Sequence, residues 1–287
     1  MIEIIAHSTN KPIAYEHFFF GGGEQHIKLN QKDLADAYSA TIWLHYGQDS
    51  EIWKLALIVD ALRRANINIL HLNIPYFPAA RQDRVCVEGE PLTVKVFADF
   101  INAMKFSRVT IFDPHSEVTP ALIDNVRVVD NVEFVSKVLG EMNYRGNNPA
   151  KSVLISPDAG SNKKVANVAK HIYKTCMGVI PVVRADKLRD VATGQIVETT
   201  VYADDLTGKN CYILDDICSK GGTFCALAKV LKAKGASKVY LVVSHYEGTA
   251  NLHTLKESGI DLIFTTDSKP FETRDDSLVI KSIKAFM

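Results

Sequence analysis

The sequence predicts an α/β protein of two domains, each a mostly parallel sheet flanked by helices. Short apolar runs rich in β-branched residues alternate with longer segments of helical period, the pattern of parallel α/β units. The chain has 287 residues, enough for two cores at about 150 residues per domain. A polar, asparagine-rich stretch from Asn143 to Lys151 interrupts the rhythm about halfway. The domains are therefore expected at 1–142 and 143–287.

In chain order, Thr41 to His45, Ile69 to Ile74 and Val109 to Phe112 read as strands of the first half. Val153 to Ile155, Val179 to Val183, Cys211 to Leu214 and Val239 to Val243 read as strands of the second. Between strands, Leu55, Ile58, Val59 and Leu62 share one helix face, as do Val96, Phe97, Phe100, Ile101 and Met104. A third helix is expected to open at Thr223 and close at Gly235, since a hydroxyl suits one end and a glycine the other. The last segment, Ser277 to Met287, is short and is assigned to neither half.

Composition excludes several function classes. Lys and Arg (33) cancel Asp and Glu (33), so the chain lacks the basic excess from which nucleic-acid binding draws its affinity. The N-terminus carries Glu3 and His7 where a signal peptide needs an apolar core, and no apolar run approaches about 18 residues. No membrane partner is expected, and a cytoplasmic location is. Cys86, Cys176, Cys211, Cys218 and Cys225 are odd in number, have no metal-ligand spacing, and read as buried thiols of a reducing compartment.

Ligands of open parallel sheets bind beyond the carboxyl ends of strands, so the loops there are the places to search. After CYIL come Asp215 and Asp216, then Ser219-Lys220-Gly221-Gly222-Thr223. Adjacent carboxylates accept hydrogen bonds from vicinal sugar hydroxyls, and unencumbered N–H groups at a helix start bind phosphate, which together describe a sugar phosphate. A solvated acidic turn with a helix cap is the bland alternative. After VLI, the run Ser156-Pro157-Asp158-Ala159-Gly160-Ser161-Asn162-Lys163-Lys164 has the residues to hold Mg²⁺ and a diphosphate, or is a tight turn with surface lysines. After VTIF, His115 in Asp113-Pro114-His115-Ser116 is a metal or phosphate ligand or an isolated histidine. Arg81, Gln82, Asp83 and Arg84 follow Tyr76 and Phe77, which suits a nucleotide needing guanidinium forks and a flat apolar face, or a surface salt-bridge loop. No P-loop motif occurs, so any ATP is held in another way.

With these segments in place the chain resembles the ribose-phosphate diphosphokinase family, the phosphoribosyl pyrophosphate synthetases, over nearly its whole length. The resemblance is carried by six collinear segments: Asp60 to Ala65, Ala80 to Arg84, Glu90-Pro91, Asp113 to Ser116, Ser156 to Gly160, and Asp215-Asp216 through Thr223. It implies two phosphoribosyltransferase-like domains and transfer of the β,γ-diphosphoryl group of ATP to the 1-hydroxyl of ribose 5-phosphate, with Mg²⁺. It further implies that Arg81, Gln82, Asp83 and His115 lie at ATP, and that Phe20 and Glu24 reach a neighbouring subunit's nucleotide. His115 and Asp158 are implied as Mg²⁺ ligands or neighbours, and Asp158, Ala159, Gly160 and Ser161 as the diphosphate site. Asp215 and Asp216 are implied at the ribose hydroxyls, Ser219 to Thr223 at the 5-phosphate, and Lys187 and Arg189 on a mobile catalytic loop. A homo-oligomer, dimer or hexamer, is implied as well.

The chain departs from the family pattern in three places. Ser219-Lys220-Gly221-Gly222-Thr223 stands where the family has Asp-Thr-Gly-Gly-Thr or close to it. Ser244-His245-Tyr246-Glu247-Gly248 replaces a His-Gly-Val-Phe-Ser-Gly pattern, and Gly89 stands where an arginine is usual before Glu90-Pro91. The exchanged charges at the sugar-phosphate turn suggest an acceptor bearing a second phosphate, such as ADP-ribose, met by Lys220. That resembles a phage-type branch of the family thought to make ADP-ribose diphosphate. A non-catalytic regulatory subunit of such an enzyme is another alternative, against which Lys187, Arg189, His115 and Asp158 stand. A phosphoribosyltransferase that consumes the activated sugar is a third, which would need neither the Arg81-Gln82-Asp83 segment nor a second α/β half.

Overall fold

The computed structural model describes residues 1–175, 178–189, 196–273 and 275–287, with the side chains of Arg189 and Ile196 outside that description. The chain forms two compact units, Met1–Asp130 with Ser268–Pro270 and Met287, and Asn131–Asp267 with Phe271–Phe286.

The first unit contains β1 (Ile2–Ala6), β2 (Tyr15–Phe19), β3 (Gln25–Leu29), α1 (Gln31–Leu34), β4 (Ser39–Leu44), α2 (Ser50–Arg64), β5 (Ile69–Ile74), α3 (Thr93–Ala103), β6 (Arg108–Phe112), α4 (Val118–Leu122) and β7 (Val126–Val129). Its main sheet has the order β1-β4-β5-β6-β7, in which β4 to β7 are parallel and β1 joins β4 antiparallel. Parallel neighbours require a crossover, and α2 and α3 provide two of them. Leu55, Ile58, Val59 and Leu62 of α2 are all buried, as their spacing predicts. On α3 the buried stripe is Val94, Phe97, Ala98 and Ile101, while Val96 and Phe100 are 62% and 37% exposed. The stripe follows the i, i+3, i+4, i+7 rule from Val94, and Val96 and Phe100 fall on its flank. A separate antiparallel hairpin, β2 with β3, carries exposed Phe18, Phe19 and Phe20.

The second unit contains α5 (Val132–Tyr144), β8 (Ser152–Ser156), α6 (Asn162–Lys174), β9 (Val182–Arg189), β10 (Ile196–Val201), β11 (Asn210–Cys218), α7 (Gly222–Ala233), β12 (Lys238–Tyr246), α8 (Leu252–Glu257), β13 (Leu262–Thr266) and β14 (Leu278–Lys281). The sheet order is β10-β9-β8-β11-β12-β13-β14, all parallel except β10 against β9. The chain lays β9 on one side of β8 and returns to place β11 on the other, so the strand order reverses between β8 and β11. The crevice beyond the carboxyl ends at such a reversal is where open α/β sheets bind ligands.

The units divide after Asp130 rather than at 143–151. Helix α5 is the reason: Phe134, Val135, Val138 and Leu139 are buried, and Phe134 meets Phe286 edge-on with centroids 5.6 Å apart. The polar stretch links α5 to β8 inside the second unit, where Asn147 Nδ2 donates to the Tyr212 hydroxyl at 3.0 Å and the Tyr240 hydroxyl at 3.2 Å. Ser277 to Phe286 belongs to this unit too, as β14 on β13 and buried Ile283.

Two strands differ from their predicted spans. β11 continues four residues beyond Leu214 because its parallel pairing with β12 holds to Cys218 opposite Tyr246. The strand expected at Val179 to Val183 is β9, which starts at Val182 and runs through Lys187 to Arg189. Helix α7 is capped by Gly221 in the left-handed region, φ +79°, and Thr223 lies inside its first turn instead of capping it. Gly235, φ +90°, does end that helix. Cys211 and Cys218 are buried with thiols pushed up to about 12 by burial, whereas Cys86 is exposed on the loop after β5 and Cys225 is half-buried. Cys176 lies outside the described residues. Among the described residues no helix is long and apolar enough to cross a membrane.

Candidate active site

At the end of β8 the chain turns through a short 3-10 helix, Ala159–Ser161, capped by Asp158. The Ser161 N–H donates to Asp158 Oδ1 at 3.1 Å, the Ser161 hydroxyl donates to the Asp158 carbonyl at 2.9 Å, and the Ser156 and Ser161 hydroxyls are 2.8 Å apart. This is a capping box, satisfying donors that would otherwise be orphaned at a helix start. Its remaining oxygen, Asp158 Oδ2, accepts from Lys187 Nζ in a close ion pair. Burial works to raise the Asp158 carboxyl, but Lys187 and the N–H groups of Ser161 and Gly160 together hold it below its ordinary value. Lys187 is positioned by β9, where it lies opposite Thr199 of β10. Lys187 and Arg189 are thus strand residues, not loop residues; the Arg189 side chain lies outside the described residues.

At the end of the neighbouring strand β11 stand Asp215 and Asp216. The Asp216 N–H donates to Asp215 Oδ1 at 2.9 Å. Burial, then Asp216, then Asp158 push the Asp215 carboxyl well above its ordinary value. The influence of Asp158 on Asp215 follows from adjacency: β8 and β11 are paired, and both carboxylates leave their carboxyl ends. Lys164, on the first turn of α6, brings Nζ to 3.9 Å from Asp216 Oδ2. Ser219 and exposed Lys220 then lead into Gly221 and Gly222. A Cβ on Gly221 would stand 2.9 Å from Leu255 Cδ2 of α8, besides the strain of its positive φ. A Cβ on Gly222 would meet nothing within 4 Å, so the start of α7 is open.

In the first unit, the segment after β5 places Arg81 and Gln82 exposed and Asp83 with only 5% of its side chain exposed. Burial works to raise the Asp83 carboxyl, but hydrogen bonds from Ser116 and Arg84 and the nearness of His115 lower it overall. Those partners join this segment to the one after β6, where Asp113 is buried at φ +38° and His115 is exposed. Tyr76 stacks with Tyr46 at 6.5 Å, and Lys269 Nζ lies over both rings at 5.2 and 5.4 Å. Phe20 and Glu24 are exposed at the β2–β3 hairpin, where Phe20 faces Phe18 and His26.

The structure therefore gathers Asp158, Ala159, Gly160, Ser161, Lys187, Asp215, Asp216 and the 219–223 turn in the second unit, and Arg81, Gln82, Asp83 and His115 in the first. The sequence reads Lys163 and Lys164 together as a pair for Mg²⁺ and a diphosphate or as surface lysines, and does not show that Lys164 faces Asp216. Among the described residues, no group of three or more His, Cys, Asp or Glu side chains is arranged to hold a metal.

The N-terminal domain of ribose phosphate pyrophosphokinase, as a family, matches residues 6–104, and the phosphoribosyl transferase domain family matches residues 122–274. A ribose-phosphate pyrophosphokinase of Vibrio parahaemolyticus is 34% identical over 252 residues, covering 87% of this chain and 76% of that protein. The chain belongs to the ribose-phosphate pyrophosphokinase family. A ribose-phosphate pyrophosphokinase of Buchnera aphidicola is likewise 34% identical over 259 residues, 89% of this chain and 78% of its own. The crystal structure of phosphoribosylpyrophosphate synthetase from Mycobacterium smegmatis superposes with a TM-score of 0.79 at 21% identity, over 97% of this chain and 89% of that one, which shows a shared fold. The expected pair of phosphoribosyltransferase-like α/β domains is thus the architecture of this ribose-phosphate pyrophosphokinase family member.

Proposed function

We propose that this family member transfers the β,γ-diphosphoryl group of ATP to the anomeric 1-hydroxyl of ribose 5-phosphate, forming phosphoribosyl pyrophosphate and AMP. One observation carries the reading. The Asp158 turn with Lys187, and the Asp215–Asp216 strand end with its glycine turn, leave neighbouring strands at the reversal of one sheet.

The acceptor is assigned to the β11 side. Asp215 and Asp216 accept hydrogen bonds from the ribose hydroxyls, and the N–H groups at the open start of α7 take the 5-phosphate, with Ser219, Lys220, Gly221, Gly222 and Thr223 around it. The diphosphate is assigned to Asp158, Ala159, Gly160 and Ser161, and the nucleotide to Arg81, Gln82, Asp83 and His115. The 1-oxygen attacks the β-phosphorus, its bond to the oxygen shared with the α-phosphate breaks, AMP leaves with that oxygen, and the hydroxyl proton passes to solvent. No covalent intermediate is needed, so positioning and cationic charge carry the rate. Lys187 exchanges Asp158 for the oxygens of the transferring group, and Arg189 is assigned to act with it.

Mg²⁺ is usually held by one or two carboxylates, with substrate phosphates and waters filling its octahedron. The resemblance assigns Asp158 of the second unit and His115 of the first each to be an Mg²⁺ ligand or to lie next to the ion. When bound, the ion neutralises charge on the phosphates. Phe20 and Glu24, exposed on the hairpin, are assigned to the nucleotide of a neighbouring copy, which makes a homo-oligomer, dimer or hexamer, part of the proposal. A cytoplasmic location accompanies it.

Exposed Lys220 at the phosphate turn favours a second reading, in which the same chemistry acts on ADP-ribose. Purified protein given ATP and Mg²⁺ with ribose 5-phosphate or ADP-ribose, and assayed for AMP, separates the two. Release with ribose 5-phosphate is expected; faster release with ADP-ribose would transfer the proposal to that acceptor. No release with either would end both readings and favour a regulatory subunit.

A further inference from the structure

We infer that Lys164 is a positioning residue for the acceptor sugar, anchoring the Asp216 carboxylate to helix α6 so that the ribose hydroxyls meet a fixed acceptor group. The inference rests on the assignment of Asp215 and Asp216 to the sugar.

Three carboxylates, Asp158, Asp215 and Asp216, share the crevice at the ends of β8 and β11, and two lysines stand against them. Lys187 is engaged with Asp158 and Lys164 with Asp216, at an Nζ to Oδ2 distance of 3.9 Å. Asp216 has only 8% of its side chain exposed, and a carboxylate so enclosed needs a counter-charge. Only 28% of the Lys164 side chain is exposed, so it is not a freely solvated surface lysine. At 3.9 Å the contact is an ion pair without a direct hydrogen bond between the two groups.

The two lysines differ in what carries them. Lys187 rides on β9, whose outer neighbour β10 is the edge of the sheet. Lys164 sits in the first turn of a 13-residue helix that follows directly on the 3-10 turn capped by Asp158. Donation to an incoming phosphoryl group requires Lys187 to leave its carboxylate. Lys164 faces Asp216, the group assigned to the sugar, and so acts on the acceptor without having to leave that carboxylate. One lysine therefore serves the transferred group and the other the acceptor.

The test is steady-state kinetics on Lys164→Met and Lys164→Gln, with KM measured separately for ribose 5-phosphate and for ATP. Both variants should raise the acceptor KM about tenfold, the usual scale for a lost interaction with a charged group, and leave the ATP KM unchanged. Lys164→Arg, which keeps the charge, should restore most of the acceptor affinity. A wild-type acceptor KM in the neutral variants overturns the inference, as does an equal rise in both KM values. Loss of folding in both neutral variants, seen as a collapsed melting transition, also overturns it, because Lys164 would then hold the structure instead of the sugar. Failure of the wild-type protein to release AMP strikes the assignment of the reaction, and is distinguishable from all of these.

Discussion

The crevice in the second unit and the nucleotide segments of the first use similar residues, acids beside cations, yet differ in how far each is finished without substrate. In the second unit Asp158 is capped, paired with Lys187 and fixed at a strand end, and Asp216 faces Lys164. In the first, Arg81, Gln82 and His115 are exposed, and Asp83 is held by Ser116 and Arg84. A sheet reversal delivers two strand ends side by side, so backbone pairing alone preassembles the site there. Loop residues have no such ladder. The difference implies that changes in the second unit act on turnover and acceptor, and changes in the first on the nucleotide.

The largest expected effect is that of Lys187→Ala. Removing one preorganised cation from the transferring group should lower kcat about a hundred- to a thousandfold, leaving the ATP KM nearly unchanged and lowering the melting temperature modestly, since Asp158 loses its partner. A fall confined to KM would place Lys187 in ground-state binding and blur the division between the units. Gly221→Ala should come next, as a stability effect. The left-handed φ of +79° and a Cβ 2.9 Å from Leu255 together cost about 2–4 kcal/mol, read by urea titration. Arg81→Ala should raise the ATP KM about tenfold and spare the acceptor KM, as expected for one lost charge-assisted contact. An acceptor effect from Arg81 would break the comparison.

These contrasts also explain what was legible in the sequence. Apolar strands and the α2 stripe were readable because burial imposes a period. The carboxyl end of β11 was not, because Asp215 and Asp216 look like a loop once the apolar run stops, although their backbone still pairs with β12. The second half of β9 was hidden similarly: Arg184 to Arg189 is a polar run stabilised by pairing with β10, a partner that no local pattern announces. The α3 stripe was displaced because Val96 and Phe100 are apolar yet exposed. The sugar-phosphate and diphosphate segments are identifiable by type, but their adjacency, and with it the pairing of Lys164 with Asp216, arises from the pairing of β8 with β11 and has no sequence signal.

The smallest expected effect gives the sharpest contrast, because its sign should differ between the units. Asp215 has its carboxyl raised in the folded state by burial, by Asp216 and by Asp158. Its favourable contribution is complete below the unfolded value of about 3.9 and is lost as pH rises through the folded value, above which the charge is a liability. Asp215→Asn should therefore be more stable than wild type at pH 8, by about 1 kcal/mol, with the difference vanishing near pH 4, while acceptor turnover falls. Asp83 is the opposite case. Its folded value is lowered, so its contribution is present above the unfolded value and lost as pH falls, and Asp83→Asn should be the less stable protein at pH 8. Urea titrations of both variants at pH 4 and pH 8 measure the two signs. If Asp215→Asn lost stability at pH 8, the acidic crevice would carry no electrostatic strain awaiting its substrate, and the contrast between a site under tension and one already neutralised would fail.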